Sequence, residues 1–143
     1  MSLKKIEISI GLIKLKSSFV CLKRTSQPYK NFIEFPGGKK KNNETAIECL
    51  KREIKEELNI KIDKSKFIAT IKHPYDDVLI IMNIFNIHRY TGQITSNENR
   101  EIILFDATCH LATLPTHDRI LSLLKLPKLL KIITPGNFSD TTF

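Results

Sequence analysis

The apolar residues of this chain follow two different periods, which separate extended segments from helical ones. Alternating apolar and β-branched residues predict strands, which we place at Ile6–Leu15, Phe19–Leu22, Phe32–Phe35, Phe67–Lys72, Asp77–Tyr90 and Glu101–Phe105. A period of about 3.6 residues predicts a helix over Glu44–Leu58, with an apolar stripe at Ile47, Leu50, Ile54 and Leu58. A second helix is predicted over Asp118–Leu126, where Pro127 ends it.

The ends of the first helix carry residues with known terminal preferences. Asn43 precedes the helix and is a good N-cap candidate. Asn59 follows the last apolar residue and tolerates the left-handed conformation that often ends a helix. Upstream, Pro36-Gly37-Gly38 is predicted to stop regular structure, and Lys39–Asn43 is predicted to continue the loop.

Length and composition indicate one globular domain. The chain has 143 residues, of which 41% are hydrophobic and 27% charged, enough for one core but not for two. No apolar run approaches the roughly 20 residues of a membrane span, and no secretory signal pattern is visible. We therefore expect a cytoplasmic protein without membrane contact. The three cysteines are widely scattered, which favours buried thiols over disulfides or a zinc site.

The formal net charge of +8 is compatible with several classes of binding partner. Such an excess keeps a protein in solution, and it also attracts a polyanionic substrate. The chain has no dense run of basic residues interleaved with aromatics, so no stable nucleic-acid complex is expected. The sequence leaves the oligomeric state open, with a monomer favoured.

Three acidic residues on the first helix are the first sign of chemistry. Glu53, Glu56 and Glu57 fall within an arc of about 100° beside the apolar stripe. Like charges at this spacing repel each other, and a hard divalent cation such as Mg²⁺ would relieve the repulsion. A merely solvated acidic face is the alternative. Before the helix, the glycines of Pro36-Gly37-Gly38-Lys39 permit close backbone approach to a metal or phosphate, and Lys39 supplies a positive charge. Taken alone, such a segment is more often an ordinary turn.

These two segments together resemble the signature of the Nudix hydrolase superfamily, G-x5-E-x7-R-E-U-x-E-E-x-G-U with U apolar. The matching residues run from Gly38 through Glu44 to Arg52-Glu53-Ile54-Lys55-Glu56-Glu57-Leu58-Asn59-Ile60, and Asn59 replaces the last glycine. Ile33–Lys39 resembles the segment before this signature in MutT-type enzymes. The resemblance implies an α/β/α sandwich with a mixed sheet between helices, formed by residues 1–127.

The resemblance also implies a metal site for Mg²⁺, with Mn²⁺ as a substitute. By position, Glu53, Glu56 and Glu57 would hold the metal, joined by a backbone carbonyl of Gly37 or Gly38. Arg52, Glu53 and Glu57 would be the catalytic residues, with Glu53 helping to deprotonate water and Arg52 orienting Glu53, while Glu44 would brace the loop on the helix. A further glutamate on a later loop would be Glu98, with Glu101 as the alternative.

Substrate contacts are implied less directly. Arg24 and Lys39 would contact phosphate or sugar, although Arg24 is equally compatible with a surface cation. Phe35 would line a base pocket or belong to the core. His117, with Asp118 beside it, stands where MutT-type enzymes have an asparagine that reads oxidised guanine, and neither residue offers the paired donor and acceptor of an amide.

We therefore expect a Mg²⁺-dependent hydrolase that converts a nucleoside triphosphate to the monophosphate and pyrophosphate, with 8-oxo-dGTP as the preferred candidate. The alternatives are a Nudix hydrolase of a nucleotide sugar, dinucleoside polyphosphate or capped RNA, and a non-catalytic nucleotide- or RNA-binding module. The segment from Leu126 to Pro135 is similar to a junction with a thiamine-phosphate-synthase-like domain. Residues 128–143 are thus either the remnant of such a domain or an ordinary tail.

Overall fold

The structure is a computed structural model that describes residues 4–106, 109 and 111–124. Its strands are β1 (Lys4–Leu12), β2 (Lys14–Leu15), β3 (Ser18–Lys23), β4 (Ile33–Glu34), β5 (Gly37–Lys39), β6 (Lys61–Tyr75), β7 (Val78–Thr91) and β8 (Ile102–Phe105), and its helices are α1 (Ala46–Leu58) and α2 (Pro115–Leu124). The chain divides into two compact units. Unit 1 comprises Met1–Leu12 and Pro36–Asn99, and unit 2 comprises Ile13–Phe35 and Arg100–Phe143.

Unit 1 is a mixed four-stranded sheet covered by helix α1. The strand order is β5-β1-β7-β6, with β1 parallel to β7 and the other two pairs antiparallel. The apolar stripe of α1 packs on β1 at Gly11, where an added Cβ would lie 2.7 Å from Ile87, 3.2 Å from Leu50 and 3.3 Å from Ile54. Leu50, Ile54 and Leu58 are fully buried, as their period predicts.

The ends of α1 confirm one sequence prediction and correct another. Asn59 adopts the left-handed conformation, with φ 60° and ψ 35°, as predicted. The N-cap is Thr45 rather than Asn43, so the helix begins two residues later than predicted. Thr45 and Glu48 form a capping box in which each side chain accepts a hydrogen bond from the other's backbone N–H. This reciprocal pair satisfies the backbone N–H groups of both Thr45 and Glu48. A cap at Asn43 would lack the second bond, because the residue three positions later is Ala46, which has no side-chain acceptor.

The glycine segment before α1 is a strand, and the prediction of a turn there was wrong. Gly37–Lys39 pairs antiparallel with β1, with Gly38 opposite Ser9. Gly37 has φ +146°, and a Cβ on it would lie 2.0 Å from the Ser9 carbonyl oxygen. The missing side chain therefore allows β5 to pair closely with β1 instead of interrupting the sheet.

Unit 2 is built around strand β3. The neighbours of β3 are β2, β4 and β8, all antiparallel to it, and its residues Phe19, Val20, Cys21 and Leu22 are fully buried. Helix α2 begins at Pro115, earlier than the predicted Asp118, because proline's fixed φ suits the first turn of a helix. The predicted helix end at Leu126 and the tail 128–143 lie outside the described residues. No helix in the described part of the chain is long and apolar enough to span a membrane.

Candidate active site

Arg52 is the central cation of the acidic flank of α1. Its Nη2 lies 2.6 Å from Oε1 of Glu44, and its Nη1 lies 2.8 Å from Oε1 of Glu53. A longer contact of 3.4 Å reaches Glu56. Arg52 also donates to the backbone carbonyl of Lys39 across 3.0 Å. One guanidinium group thus connects the helix, the strand β5 and three carboxylates, using the several donors that arginine offers in one plane.

Glu44 ties the segment between β5 and α1 to the helix. Its carboxylate accepts two hydrogen bonds from Arg52 and one from the Lys41 backbone N–H. The hydrogen bond from Arg52 is the main cause that lowers the Glu44 pKa to about 2, followed by that from Lys41. The same contact raises the pKa of Arg52. Both groups therefore stay charged over the physiological range.

Glu53 lies with its carboxylate against the backbone of Gly38. A Cβ on Gly38 would stand 2.3 Å from Cδ of Glu53 and 2.6 Å from each of its oxygens, so only glycine leaves room for this carboxylate. Burial raises the pKa of Glu53; Arg52 lowers it, and the charges of Glu56 and Glu98 raise it further. A carboxylate with a raised pKa is a stronger base at neutral pH.

Glu57 and Glu56 differ in environment although they are adjacent. Glu57 is only 6% exposed, and its Oε1 accepts a hydrogen bond of 2.8 Å from the Gly37 backbone N–H. The Glu56 side chain is 50% exposed and meets Arg52 at its periphery. The helix therefore directs the Glu57 carboxylate to the β5 backbone and the Glu56 carboxylate to solvent, because consecutive residues of a helix point about 100° apart.

The structure separates the two candidate loop glutamates. Glu98 belongs to unit 1 with Glu53 and is near enough for its charge to raise the Glu53 pKa. Glu101 belongs to unit 2, where it is exposed and lies 3.8 Å from Lys23. Glu98 thus joins the acidic group on α1, whereas Glu101 is paired elsewhere.

The donor set of this site suits Mg²⁺ in chemistry and charge. All four carboxylates are hard oxygen donors, and the negative charges of Glu56 and Glu98 repel that of Glu53. In their present rotamers, no three acidic, histidine or cysteine side chains of the described residues converge as a metal-binding group. Glu57 faces the Gly37 N–H instead.

In unit 2, the predicted base-contacting residues form an aromatic stack. The rings of Phe35 and His117 are 4.1 Å apart and tilted by 10°, and Phe105 meets His117 edge-on at 4.8 Å. His117 is 1% exposed, and neither ring nitrogen has a hydrogen-bond partner among the described residues. Burial lowers the His117 pKa to about 4, so the imidazole is neutral and carries one donor and one acceptor.

Of the remaining predicted residues, Arg24 and Asp118 have side-chain partners, whereas Lys39 is exposed. Arg24 contacts Glu34 at 3.1 Å, and Arg100 contacts the other oxygen of Glu34 at 2.6 Å. The sequence reasoning missed Glu34 and Arg100, although Glu34 stands directly before Phe35 within the Nudix-like segment. Asp118 accepts a hydrogen bond from the Thr113 hydroxyl. Lys39 is exposed next to Gly38.

Comparisons with known proteins match this chain over most of its length. The family model described as NUDIX domain matches residues 6–121. An 8-oxo-dGTP diphosphatase of Buchnera aphidicola subsp. Schizaphis graminum is 37% identical over 97 residues, which cover 67% of this chain and 73% of that protein. The 8-oxo-dGTP diphosphatase of Proteus vulgaris is 30% identical over 100 residues, covering 68% and 89%.

A solved structure, the MutT NUDIX hydrolase from Burkholderia pseudomallei, superposes with a TM-score of 0.76. It shares 18% sequence identity, and the match covers 83% of this chain and 97% of that one. At this identity, the likeness concerns the fold, and it confirms the fold class predicted from the sequence.

Proposed function

Because the chain belongs to the Nudix domain family and is a hydrolase of phosphoric anhydride bonds, we propose that it converts a nucleoside triphosphate to the monophosphate and pyrophosphate. The preferred substrate is 8-oxo-dGTP, because the relatives at 30% and 37% identity are both named 8-oxo-dGTP diphosphatase. The observation that carries the proposal is the Glu53 carboxylate, held between Arg52 and the Gly38 backbone among further acidic residues.

The metal ligands we propose are Glu53, Glu56, Glu57, Glu98 and a backbone carbonyl of Gly37 or Gly38. Bound Mg²⁺, or Mn²⁺ in its place, would neutralise phosphate charge and make bound water more acidic. Carboxylates and a carbonyl are the oxygen ligands that Mg²⁺ accepts alongside substrate phosphate.

The chain's own residues supply the base, its orientation and a phosphate contact. Glu53 accepts a proton from the attacking water, whose oxygen bonds to one phosphorus of the α–β anhydride while the P–O bond of that anhydride breaks in line, which yields the monophosphate and pyrophosphate. Arg52 holds the carboxylate through its 2.8 Å contact. Lys39, exposed beside Gly38, contributes a positive charge to a substrate phosphate.

For the nucleobase, we propose Phe35, His117 and Asp118, with Arg24 as a phosphate or sugar contact. A neutral His117 offers one donor and one acceptor, although on opposite sides of the ring rather than paired as in an amide. His117 and Phe35 now cover each other, so a base reaches either ring only when this stack opens. This difference from an asparagine favours a second candidate, a Nudix hydrolase acting on another nucleotide derivative.

A substrate panel tests the proposal. Pyrophosphate and phosphate release are measured with Mg²⁺ for 8-oxo-dGTP, dGTP, other nucleoside triphosphates, a nucleotide sugar, a dinucleoside polyphosphate and capped RNA. We expect pyrophosphate from 8-oxo-dGTP, with the highest kcat/KM. Turnover of only one of the other classes would replace the substrate assignment with the second candidate, and binding without turnover in Mg²⁺ or Mn²⁺ would refute catalysis.

Variants locate the chemistry within the chain. Glu53→Gln and Glu57→Gln are expected to lower pyrophosphate release to a small residual rate while keeping the fold, because each replaces a proposed metal-binding carboxylate with a neutral amide. Glu101→Gln is the matched control, since this exposed carboxylate pairs with Lys23 in unit 2. Normal activity of Glu53→Gln would contradict the proposed base.

A further inference from the structure

The loop that carries Glu98 is fastened to the C-terminal end of helix α1. The last carbonyl groups of a helix have no partner within the helix and need one from elsewhere. Here the Thr95 backbone N–H donates to the Leu58 carbonyl across 3.0 Å, and the Asn97 backbone N–H donates to the Glu57 carbonyl across 3.2 Å. The segment before Glu98 therefore donates hydrogen bonds to the terminal carbonyl groups of α1, and these bonds hold it at the C-terminal end of the helix.

Asn97 adds a side-chain contact to this attachment. Its Nδ2 donates to the Lys55 carbonyl across 3.3 Å, the same oxygen that accepts a hydrogen bond from the Asn59 backbone N–H. Asn97 thus spans two carbonyls of the last turn, Lys55 with its side chain and Glu57 with its backbone. The two hydrogen bonds hold both the backbone and the side chain of Asn97 against α1, and Glu98 is the next residue in the chain.

The turn that Asn97 holds is the one that bears the acidic residues. Lys55 and Glu57 flank Glu56, and Glu53 lies one turn earlier on α1. Glu98 follows Asn97 directly in the chain and is exposed in a loop without regular secondary structure. A lone exposed glutamate loses conformational entropy when it binds an ion, so a neighbour that holds its backbone in place reduces that loss.

We propose that Asn97 is a positioning residue that holds the Glu98 carboxylate toward the metal-binding face of α1. This inference rests on the proposed function, in which Glu98 is a metal ligand. Asn97 is not among the proposed metal or substrate ligands, and it would act only through Glu98. Its amide group matters because only a donor can form the second hydrogen bond to the Lys55 carbonyl, while the Asn97 backbone N–H bonds the Glu57 carbonyl of the same turn.

A double-mutant cycle on metal binding tests the inference without relying on activity. The dissociation constant of Mn²⁺ is measured by calorimetry for the wild type, Asn97→Ala, Glu98→Gln and the double variant, with thermal unfolding to establish that each is folded. We expect Asn97→Ala to weaken Mn²⁺ binding about fivefold, which is below the roughly 10- to 100-fold effect of residues that bond a metal ligand directly. Glu98→Gln should weaken it at least as much, and the double variant should match Glu98→Gln.

The matched control is Gln93→Ala, which removes the same chemical group from the same loop. Gln93 is exposed and makes no side-chain hydrogen bond within the described residues, so its variant should bind Mn²⁺ as the wild type does. If Asn97→Ala does not fold, Asn97→Leu takes its place, because leucine keeps the branched shape and lacks the donor.

Two results would overturn the inference. One is wild-type Mn²⁺ affinity in Asn97→Ala, and the other is an equal loss from Asn97→Ala in the wild-type and Glu98→Gln backgrounds. Wild-type affinity in Glu98→Gln would also overturn it, since Asn97 would then have no ligand to position. That result leaves anhydride cleavage standing, because pyrophosphate release by the unaltered chain is measured separately.

Discussion

Replacing Gly38 by alanine gives the sharpest test of how the Glu53 carboxylate is placed. The added Cβ would lie 2.3 Å from Glu53 Cδ, whereas nonbonded carbon atoms rest about 3.5 to 4.0 Å apart. The carboxylate must therefore retreat by more than about 1 Å, and a misplacement of this size costs on the order of 100-fold in rate. We expect kcat/KM for pyrophosphate release to fall by about that factor, or about 2.7 kcal/mol in activation free energy.

Two companion variants separate misplacement of Glu53 from general damage. Gly37→Ala places its Cβ 2.0 Å from the Ser9 carbonyl oxygen at φ +146°, so it should lower the melting temperature strongly, while Gly38→Ala should melt close to the wild type because a side chain can move more easily than a backbone. Adding Gly38→Ala to Glu53→Gln should cost little more activity. Wild-type kcat/KM in a folded Gly38→Ala protein would refute the reasoning, as would an equal loss in the Glu53→Gln background.

Two further predictions concern stability. Thr45→Ala removes one half of the capping box and should lower the free energy of unfolding by about 1 kcal/mol in urea titration; an unchanged midpoint would show that the cap is dispensable. Burial lowers the pKa of His117 to about 4. Between about pH 6.5 and pH 4, this histidine is therefore protonated in the unfolded chain but remains neutral in the folded chain. Stability should therefore fall as the pH drops through this window, by at most about 1.4 kcal/mol per unit from this group, and level off below it. His117→Phe should reduce that slope, and an equal slope in both proteins would contradict the assignment.

The sequence alone determined the parts of this protein that depend on local periodicity and spacing. The stripe from Leu50 to Leu58 specified α1 and its buried face, because helical period fixes which side chains share a side. Asn59 was correctly predicted as left-handed, since few residues other than glycine accept that conformation. The spacing from Gly38 to Glu57 indicated the family and the set of candidate carboxylates.

Only the tertiary structure decided what depends on residues distant along the chain. Gly37 and Gly38 form a strand because β1 lies alongside to pair with them, and no local pattern reveals that partner. The same holds for the stack of Phe35 on His117 and for the attachment of Asn97 to the end of α1. Periodicity reports which face of an element is apolar, whereas hydrogen bonds between distant segments arise only once the chain has folded and brought them together.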